Sequence, residues 1–590
     1  MYRPINIIKR LAVVVLAFYC NFVLADNPPY FPTDVALNSK GQILFTHKGK
    51  NSVDVFSGNG ENLLRSFTMS SPPTGLVVNG DKAYVTTFDT YGHLQILSLE
   101  TGKVEASIPT GSGAAFPLLN QDKSKVYVAN QFQNTISEID IAQKKVLRTA
   151  TVLREPKSMI FSKDGNYLFV TNFLPAQRAD VDIVAACVSV IDVKTFKKVK
   201  DIQLANGSNA LRGICITPDG KYIYVSHNLG RFTVPTSQLQ QGWMNTSAFS
   251  VIDVAARKYL GTVLVDEAEK GAAGVWGISC NEESLFVAHS GTHEVSVIDH
   301  QAMRKKFEDY PQKENLNYDL RFLYGIRKRL KIEGNGPRNF VIAGDKLIVP
   351  TYFSDILNFI DMNTLAVTSS VLNPKRVESI PQQGERIFND ANNCFQGWQS
   401  CNGCHPGDGR TDGMNWDLMN DNVGNPKNCK SLLYSHITPP SMISGIRASA
   451  ELAVRAGFKF IQFFEISEEE AVLVDEYLKS LCPVPSPYLV NGDLSEKAKA
   501  GRKVFVTLSC DKCHSGPYYT DMEMHRIGED IEFEKGWDTP TLLEVWRTAP
   551  YLFDGRAATM EEVFEIHRHG INKKNSKKDI EALVEYVKSL

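Results

Sequence analysis

The sequence predicts a multidomain chain: an all-β seven-bladed propeller followed by two small all-α modules. Three observations predict it. A pair of short apolar strands recurs seven times between residues 30 and 375. The alternating pattern stops after NPKR (373–376), where amphipathic helical patterning begins. The helical part then repeats itself, and each copy carries one Cys-X-X-Cys-His. At 590 residues the chain exceeds one ordinary domain. With 43% hydrophobic and 22% charged residues, each part can bury a core. A formal net charge of −2 argues against a bulk electrostatic partner such as nucleic acid.

Residues 1–25 read as a secretory signal peptide. Arg3, Lys9 and Arg10 form a basic start, LAVVVLAFYCNFVLA (11–25) is apolar, and Val23 and Ala25 are small enough to precede a cleavage site. No later segment is long and apolar enough to span a membrane. The expected location is the periplasm. Of eleven cysteines, Cys20 lies in the signal and four in the CxxCH motifs. Cys187, Cys215, Cys280, Cys394, Cys429 and Cys482 remain, and Cys394 with Cys429, flanking the first motif, is the favoured disulfide.

The propeller is expected over residues 30–375. Its repeated strand runs ILFTH (43–47), AYVTT (83–87), VYVAN (126–130), LFVTN (168–172), IYVSH (223–227), LFVAH (285–289) and LIVPT (347–351). A second strand such as CVSVIDV (187–193) or EVSVIDH (294–300) follows each, and Asp-Gly turns precede several. No unit can bury both faces alone, but a closed ring of seven can. These strands resemble the YVTN-type propeller repeats, a likeness that implies fold and little about function. His47, His227 and His289 share one register and are a candidate cluster at one mouth; the plainer reading is that they satisfy loop backbone. The long loops 173–186 and 228–247 suggest a docking or lid surface. The insertion 301–335 has helix-like patterning, and RKRLK (327–331) within it reads as a solvated helix face.

The helical modules are expected over 380–485 and 490–590, joined by PVPSP (483–487). QQGERIF (382–388) matches KAGRKVF (499–505), and EEEAVLVDEYLKSL (468–481) matches KDIEALVEYVKSL (578–590). Between these helices lie CNGCH (401–405) and CDKCH (510–514). A CxxC turn presents two sulfurs to the vinyl groups of a haem, and the next histidine reaches the iron. Cys401, Cys404, Cys510 and Cys513 are thus the expected thioether residues, and His405 and His514 the proximal ligands of two haem c groups. Zinc or a redox dithiol is the rival reading of a CxxC.

DTPTLLEVWRTAPYLFDGRAATMEEVFEIH (538–567), together with the two CxxCH modules, resembles the bacterial di-haem cytochrome c peroxidase and MauG-like family, over about residues 380–590. The resemblance implies peroxide-dependent oxidation, with hydrogen peroxide meeting one haem while the other relays electrons. It also implies a small redox protein or a protein substrate as electron donor. By position, His567 is the distal ligand of the second haem and His569 the alternative. Phe553 stands where relatives carry histidine before the DG turn. Trp416 is the candidate electron bridge between the haems, packing being the other reading. GIRASAE (445–451) echoes DGRAATMEE, which makes Arg447 and Glu451 candidates for charge stabilisation and proton transfer at the first haem. His436, Met414, Met419 and Met442 could each cap that iron instead. Calcium is seen in relatives, and NWDLMNDN (415–422) offers oxygen ligands. The alternative function is a di-haem electron-transfer cytochrome without peroxidase activity, with the propeller as a partner-binding module.

Overall fold

Seven antiparallel sheets follow one another along the chain, each a meander in sequence order: Pro32–Thr68, Pro73–Pro109, Ala114–Thr151, Pro156–Gln203, Ser208–Leu264, Val275–Lys331 and Val341–Val371. The computed structural model describes residues 27–234, 244–418, 426–527, 534–571 and 575–590. The expected signal peptide at 1–25 lies outside them. None of the described helices is long and apolar enough to cross a membrane.

The inner strands pack side by side around an axis, and the repeated strand is the second of each blade, buried on both faces. Blade-to-blade clusters form the core, for example Tyr127, Met159 and Val170 between the third and fourth. Burial on both faces explains the Val-, Phe- and Tyr-rich runs. The ring closes without a shared blade. The Tyr30 amide donates to the Asp355 carboxylate at 2.9 Å, the Ser370 hydroxyl to the Gly60 carbonyl at 3.0 Å, and the Val377 amide to the Asn27 carbonyl at 3.0 Å.

Two expectations about the propeller and one about the disulfide change. His47, His227 and His289 do not gather at a mouth. Each is fully buried within its own blade: His227 meets Ser250 at 2.7 Å and His289 meets Ser296 at 2.7 Å, while His47 meets Asp54 at 3.0 Å. RKRLK (327–331) is not a helix face. Arg327–Lys331 is the outer strand of the sixth blade, with Arg329 on Glu294 at 2.7 Å and Arg327 paired to Glu267. The helix of this insertion is upstream, His300–Asp309. The Cys394–Cys429 disulfide is not formed, and both are free thiols. A different pair, Cys215 and Cys280, approaches to 3.9 Å across the fifth and sixth blades.

Beyond Val371 the described residues are not all-α as expected: short helices and turns alternate with two two-stranded sheets, Asn415–Trp416 with Lys427–Asn428 and Met524–His525 with Trp537–Asp538, and two helix pairs repeat one geometry. Ile380–Asn389 crosses Glu468–Lys479, and Glu496–Thr507 crosses Lys577–Lys588. Serine caps start all four, at 379, 467, 495 and 576. Each crossing turns on a glycine. A Cβ on Gly384 would lie 1.9 Å from the Leu473 carbonyl oxygen, and one on Gly501 1.8 Å from that of Ala582. Neither backbone can yield without parting the helices. Gly384→Ala or Gly501→Ala should therefore cost about 3 kcal/mol, the upper end of overpacking. Thermal unfolding followed by helical circular dichroism measures it, and an unchanged midpoint would refute the crossing.

The two halves also interlock reciprocally. Ser441 pairs with Arg447 in one, and Tyr551 with Ala557 in the other. Met442 (φ 73°) and Leu552 (φ 70°) occupy matching positive-φ positions, as do Gly445 and Gly555. Each such turn lies on the other half. The Asp538 amide donates to the Ile443 carbonyl at 3.0 Å, and the Asn428 amide to the Phe553 carbonyl at 2.7 Å.

Candidate functional site

Both CxxCH motifs fold as a 3-10 turn, Cys401–Gly403 and Cys510–Lys512, ahead of the second cysteine and the histidine. The two histidines are held alike. His405 Nδ1 lies 3.1 Å from the Arg410 carbonyl and His514 Nδ1 3.2 Å from the Tyr519 carbonyl. A carbonyl only accepts, so each ring carries its proton on Nδ1 and presents the Nε2 lone pair. Burial pushes His405 down to about 4 and lowers His514 as well, so both rings are neutral at pH 7. The spacing of five residues from histidine to carbonyl, common to both motifs, is a signal the sequence reading missed.

The four motif cysteines form no disulfide. Cys404 accepts from the Asn245 amide at 3.2 Å and Cys401 from the Gln462 amide at 3.4 Å. Burial raises Cys401 to about 12 and Cys510 to about 11. Among the described residues, Cys513, Asp521 and His525 bring three donor atoms within 4.8 Å of one another. Their counterparts in the first half are Cys404, Asp412 and Trp416. There Trp416 donates to Asp412 at 2.9 Å, as His525 meets Asp521 at 2.7 Å. An indole fills the same place as the imidazole, so the arrangement is scaffold shared by both halves.

Opposite His514 the structure places His569 rather than His567. The His514 and His569 rings are 6.3 Å apart, centre to centre. An imidazole–metal bond is about 2.0–2.1 Å, so two rings facing one metal ion stand about 6 Å apart. Burial and the neighbouring His514 lower His569 to about 4, leaving it neutral. His567 instead places Nε2 3.1 Å from the Arg556 carbonyl. The cause is local. The helix Met560–Glu565 ends early, Arg568 takes φ 54°, and the His569 amide closes back onto the Val563 carbonyl at 3.1 Å. This Schellman-type ending turns the chain and aims His569 inward.

The first half ends its corresponding helix, Ala450–Phe460, in the same turn: Phe463 takes φ 49° and the Phe464 amide closes onto the Phe458 carbonyl at 3.0 Å. Phe464 therefore stands where His569 does, half-buried among the apolar residues of the first half, and a phenyl ring offers no ligand atom. The other candidate caps are occupied or elsewhere. His436 is 3.0 Å from Asp475, which Arg455 also holds. Buried Met414 has its sulfur 3.7 Å from the Asn209 amide of the propeller. Met442 sits in the interlocking turn, and Met419, with half of the candidate calcium loop, lies outside the described residues. Arg447 and Glu451 are brought to the Ser441 turn and to the start of Ala450–Phe460. Burial opposes ionisation of Glu451, but the helix start, Ser449 and His436 lower its pKa. Among the described residues no hydrogen bond links either to the first motif. Trp416 packs with Val184, Met244 and Met414 against the propeller. The stacked pair at the seam of the halves is Trp537 and Phe553, at 4.1 Å and 11°, with the Arg556 guanidinium 4.8 Å from the Phe553 ring.

The propeller supplies part of the first motif's surroundings. Its long fifth-blade strands, Tyr222–Gly230 and Asn245–Asp253, carry Asn245 to Cys404. From the loop at 173–186, the Ala179 amide donates to the Gly555 carbonyl at 2.9 Å, and its carbonyl accepts from Asn415 at 3.2 Å. The loop at 173–186 thus docks on the chain's own helical part, as do the described residues at the two ends of the loop at 228–247. Beneath them runs a buried chain of charges. Arg547 donates to Glu155 at 3.0 and 3.2 Å and to Glu544 at 3.4 Å; Arg410 donates to Glu544 at 2.8 and 2.9 Å. Arg410 is the residue whose carbonyl holds His405, so the second half and the propeller jointly fix His405.

No protein-family model matches the chain. It is similar to hydrazine synthase subunit gamma of Kuenenia stuttgartiensis, 27% identical over 271 residues, covering 35% of this chain and 76% of that one. Subunit beta of the same enzyme is 25% identical over 169 residues, 28% of this chain and 42% of that one. The cytochrome c551 peroxidase of Nitrosomonas europaea is 22% identical over 261 residues, 35% of this chain and 78% of that one. A chain in the solved Kuenenia stuttgartiensis hydrazine synthase superposes on 59% of this chain and 97% of its own length, with a TM-score of 0.51 and 19% identity. That likeness shows fold alone.

Proposed function

We propose that the chain is an exported oxidoreductase carrying two covalent haem c groups, one on each CxxCH module. The carrying observation is the asymmetry of the two halves: His514 faces His569, whereas Phe464, which has no ligand atom, occupies the place of His569 in the first half. Such iron supplies one-electron and peroxide chemistry when its sixth position is open, and electron transfer when two histidines close it. The pairing of His514 and His569 supports a relay role for the second half. His405, held through Arg410, supports an open site in the first, with peroxide as oxidant and a small redox protein or a protein substrate as donor. Arg447 and Glu451 are retained as candidate charge-stabilising and proton-moving groups. Trp416 is retained as a candidate bridge beside the Trp537–Phe553 stack.

A pyridine haemochrome assay tests the cofactor: the wild type should give two haems per chain, and Cys401→Ala/Cys404→Ala one. Electron paramagnetic resonance of the loaded protein should then show one high-spin and one low-spin iron, with turnover of peroxide and a reduced donor. Two low-spin irons, inert to peroxide in every redox state, would overturn the peroxidase reading. A second reading, hydrazine synthesis, follows from the likeness to two subunits of hydrazine synthase. Hydrazine formation by the loaded protein, without peroxide turnover, would favour it.

A further inference from the structure

The propeller's axial mouth carries a buried cation, Arg212, that faces no carboxylate. The inner strands place one residue per blade at a shared register there. On the fourth to seventh blades these are Lys157, Arg212, Trp276 and Arg338. The register is set by hydrogen bonds: Ser158, following Lys157, donates to the Arg212 carbonyl, and the amide of Gly277, following Trp276, to the Arg338 carbonyl at 2.8 Å. Three cations thus line one arc of the channel.

Arg212 is 5% exposed. Its Nη1 reaches the carbonyls of Ala210 and Val275 only at 3.4 Å, and its Nε has no acceptor. Nε of Arg338 has none either. The guanidinium of Arg212 lies 4.5 Å from the Trp276 ring centre and 5.6 Å from that of Phe173; that of Arg338 lies 4.2 Å from Trp276 and 3.4 Å from Tyr352. Lys157 Nζ is 4.6 Å from the Phe173 ring and bonds Gln131 at 2.6 Å. The buried guanidinium of Arg212 feels desolvation and the like charge of Arg338, which push it down to about 9, with no carboxylate offsetting them. Asp408 faces Lys48, Arg547, Arg410 and Arg338, which together outweigh burial and keep it ionised; Glu385 also faces Arg338, and Glu155 faces Lys157, so of the three cations Arg212 is the one with no carboxylate beside it. A buried charge without a counterion is costly, whereas a forked guanidinium between aromatic faces suits a flat pair of oxygens.

We propose that Lys157, Arg212 and Arg338 form an anion site at the axial mouth of the propeller, and that its ligand is a small anion with two coplanar oxygens, such as nitrite or a short carboxylate. The site adjoins the first CxxCH loop: a Cβ on Gly407 would meet the Phe173 ring at 3.5 Å. It rests on propeller residues and stands whether or not the haem reading does.

Isothermal titration of the full haem-loaded chain with sodium nitrite, formate and acetate, in chloride-free buffer, tests it. One site per chain is expected, with no movement of the Soret band, because the anion does not touch the iron. Arg212→Gln should weaken binding roughly ten- to a hundredfold, the worth of ~1.5–3 kcal/mol for a charged hydrogen bond. Arg257→Gln, which alters the contact of that guanidinium with Tyr167 on the outer part of the blades, should leave it unchanged. Preference among the three salts decides between an inorganic oxyanion and a carboxylate. Absence of heat with all three, equal affinity in Arg212→Gln, or binding that shifts the Soret band and survives that substitution would each overturn the proposal. Should Arg212→Gln fail to fold, the wild-type melting temperature decides: it must rise with anion concentration.

Discussion

His569→Ala will convert one of the two haems of the loaded protein from low-spin to high-spin, while His567→Ala will leave both spectra as they are. The effect is large because a six-coordinate iron loses a strong ligand outright. His567 contributes one hydrogen bond to the Arg556 carbonyl, worth about 1 kcal/mol of stability. Electron paramagnetic resonance of the two variants separates the cases. A low-spin signal surviving in His569→Ala and lost in His567→Ala would restore the assignment made from position along DGRAATMEEVFEIH. Exogenous imidazole should return the low-spin signal to His569→Ala, which a merely unfolded variant would not allow.

Arg547→Ala will destabilise the chain by about 3–5 kcal/mol, the cost of leaving a buried carboxylate without its partner. Two carboxylates lose here, Glu155 of the propeller and Glu544 of the second half. Burial alone would raise Glu155; the Arg547 charge outweighs it and holds the group below its usual range. Its stabilising contribution is therefore present above the unfolded carboxylate range and fades as pH falls through the folded value. In Arg547→Ala that acid dependence should change, because Glu155 then resists ionisation. Arg547→Met with Glu155→Gln should recover part of the loss, since a neutral pair carries no orphaned charge. Denaturant unfolding of the single and double variants measures this, and additive effects would exclude direct coupling.

The propeller was legible because its signal is periodic: seven matched strand pairs outweigh any local ambiguity. RKRLK misled because a helical insertion separates it from its blade. Two of its arginines are buried against Glu267 and Glu294, which lie some way upstream in sequence. The two Cys-X-X-Cys-His turns were legible because their spacing is fixed and repeated, and both fold alike. His569 was not, since treating EEVFEIHRHG as one helix puts the two histidines on different faces. Only the φ 54° turn at Arg568 reverses that, and an arginine gives no warning of it as a glycine would. Lys157, Arg212 and Arg338 escaped notice for another reason: their shared register appears only once the blades are aligned on their inner strands.

The reciprocal hydrogen bonds between the halves, Asp538 to Ile443 and Asn428 to Phe553, are what a two-fold symmetric dimer makes, each copy offering the other the same patch. Here both copies lie on one chain. In a dimer of identical subunits any substitution appears twice, so the two metal environments must match. Tandem duplication removes that constraint while keeping the interface. One copy was free to place His569 after its helix-ending turn, and the other to place Phe464 at the same point of the same turn. Division of labour between two equal parts thus required no new interface, only the loss of enforced equality.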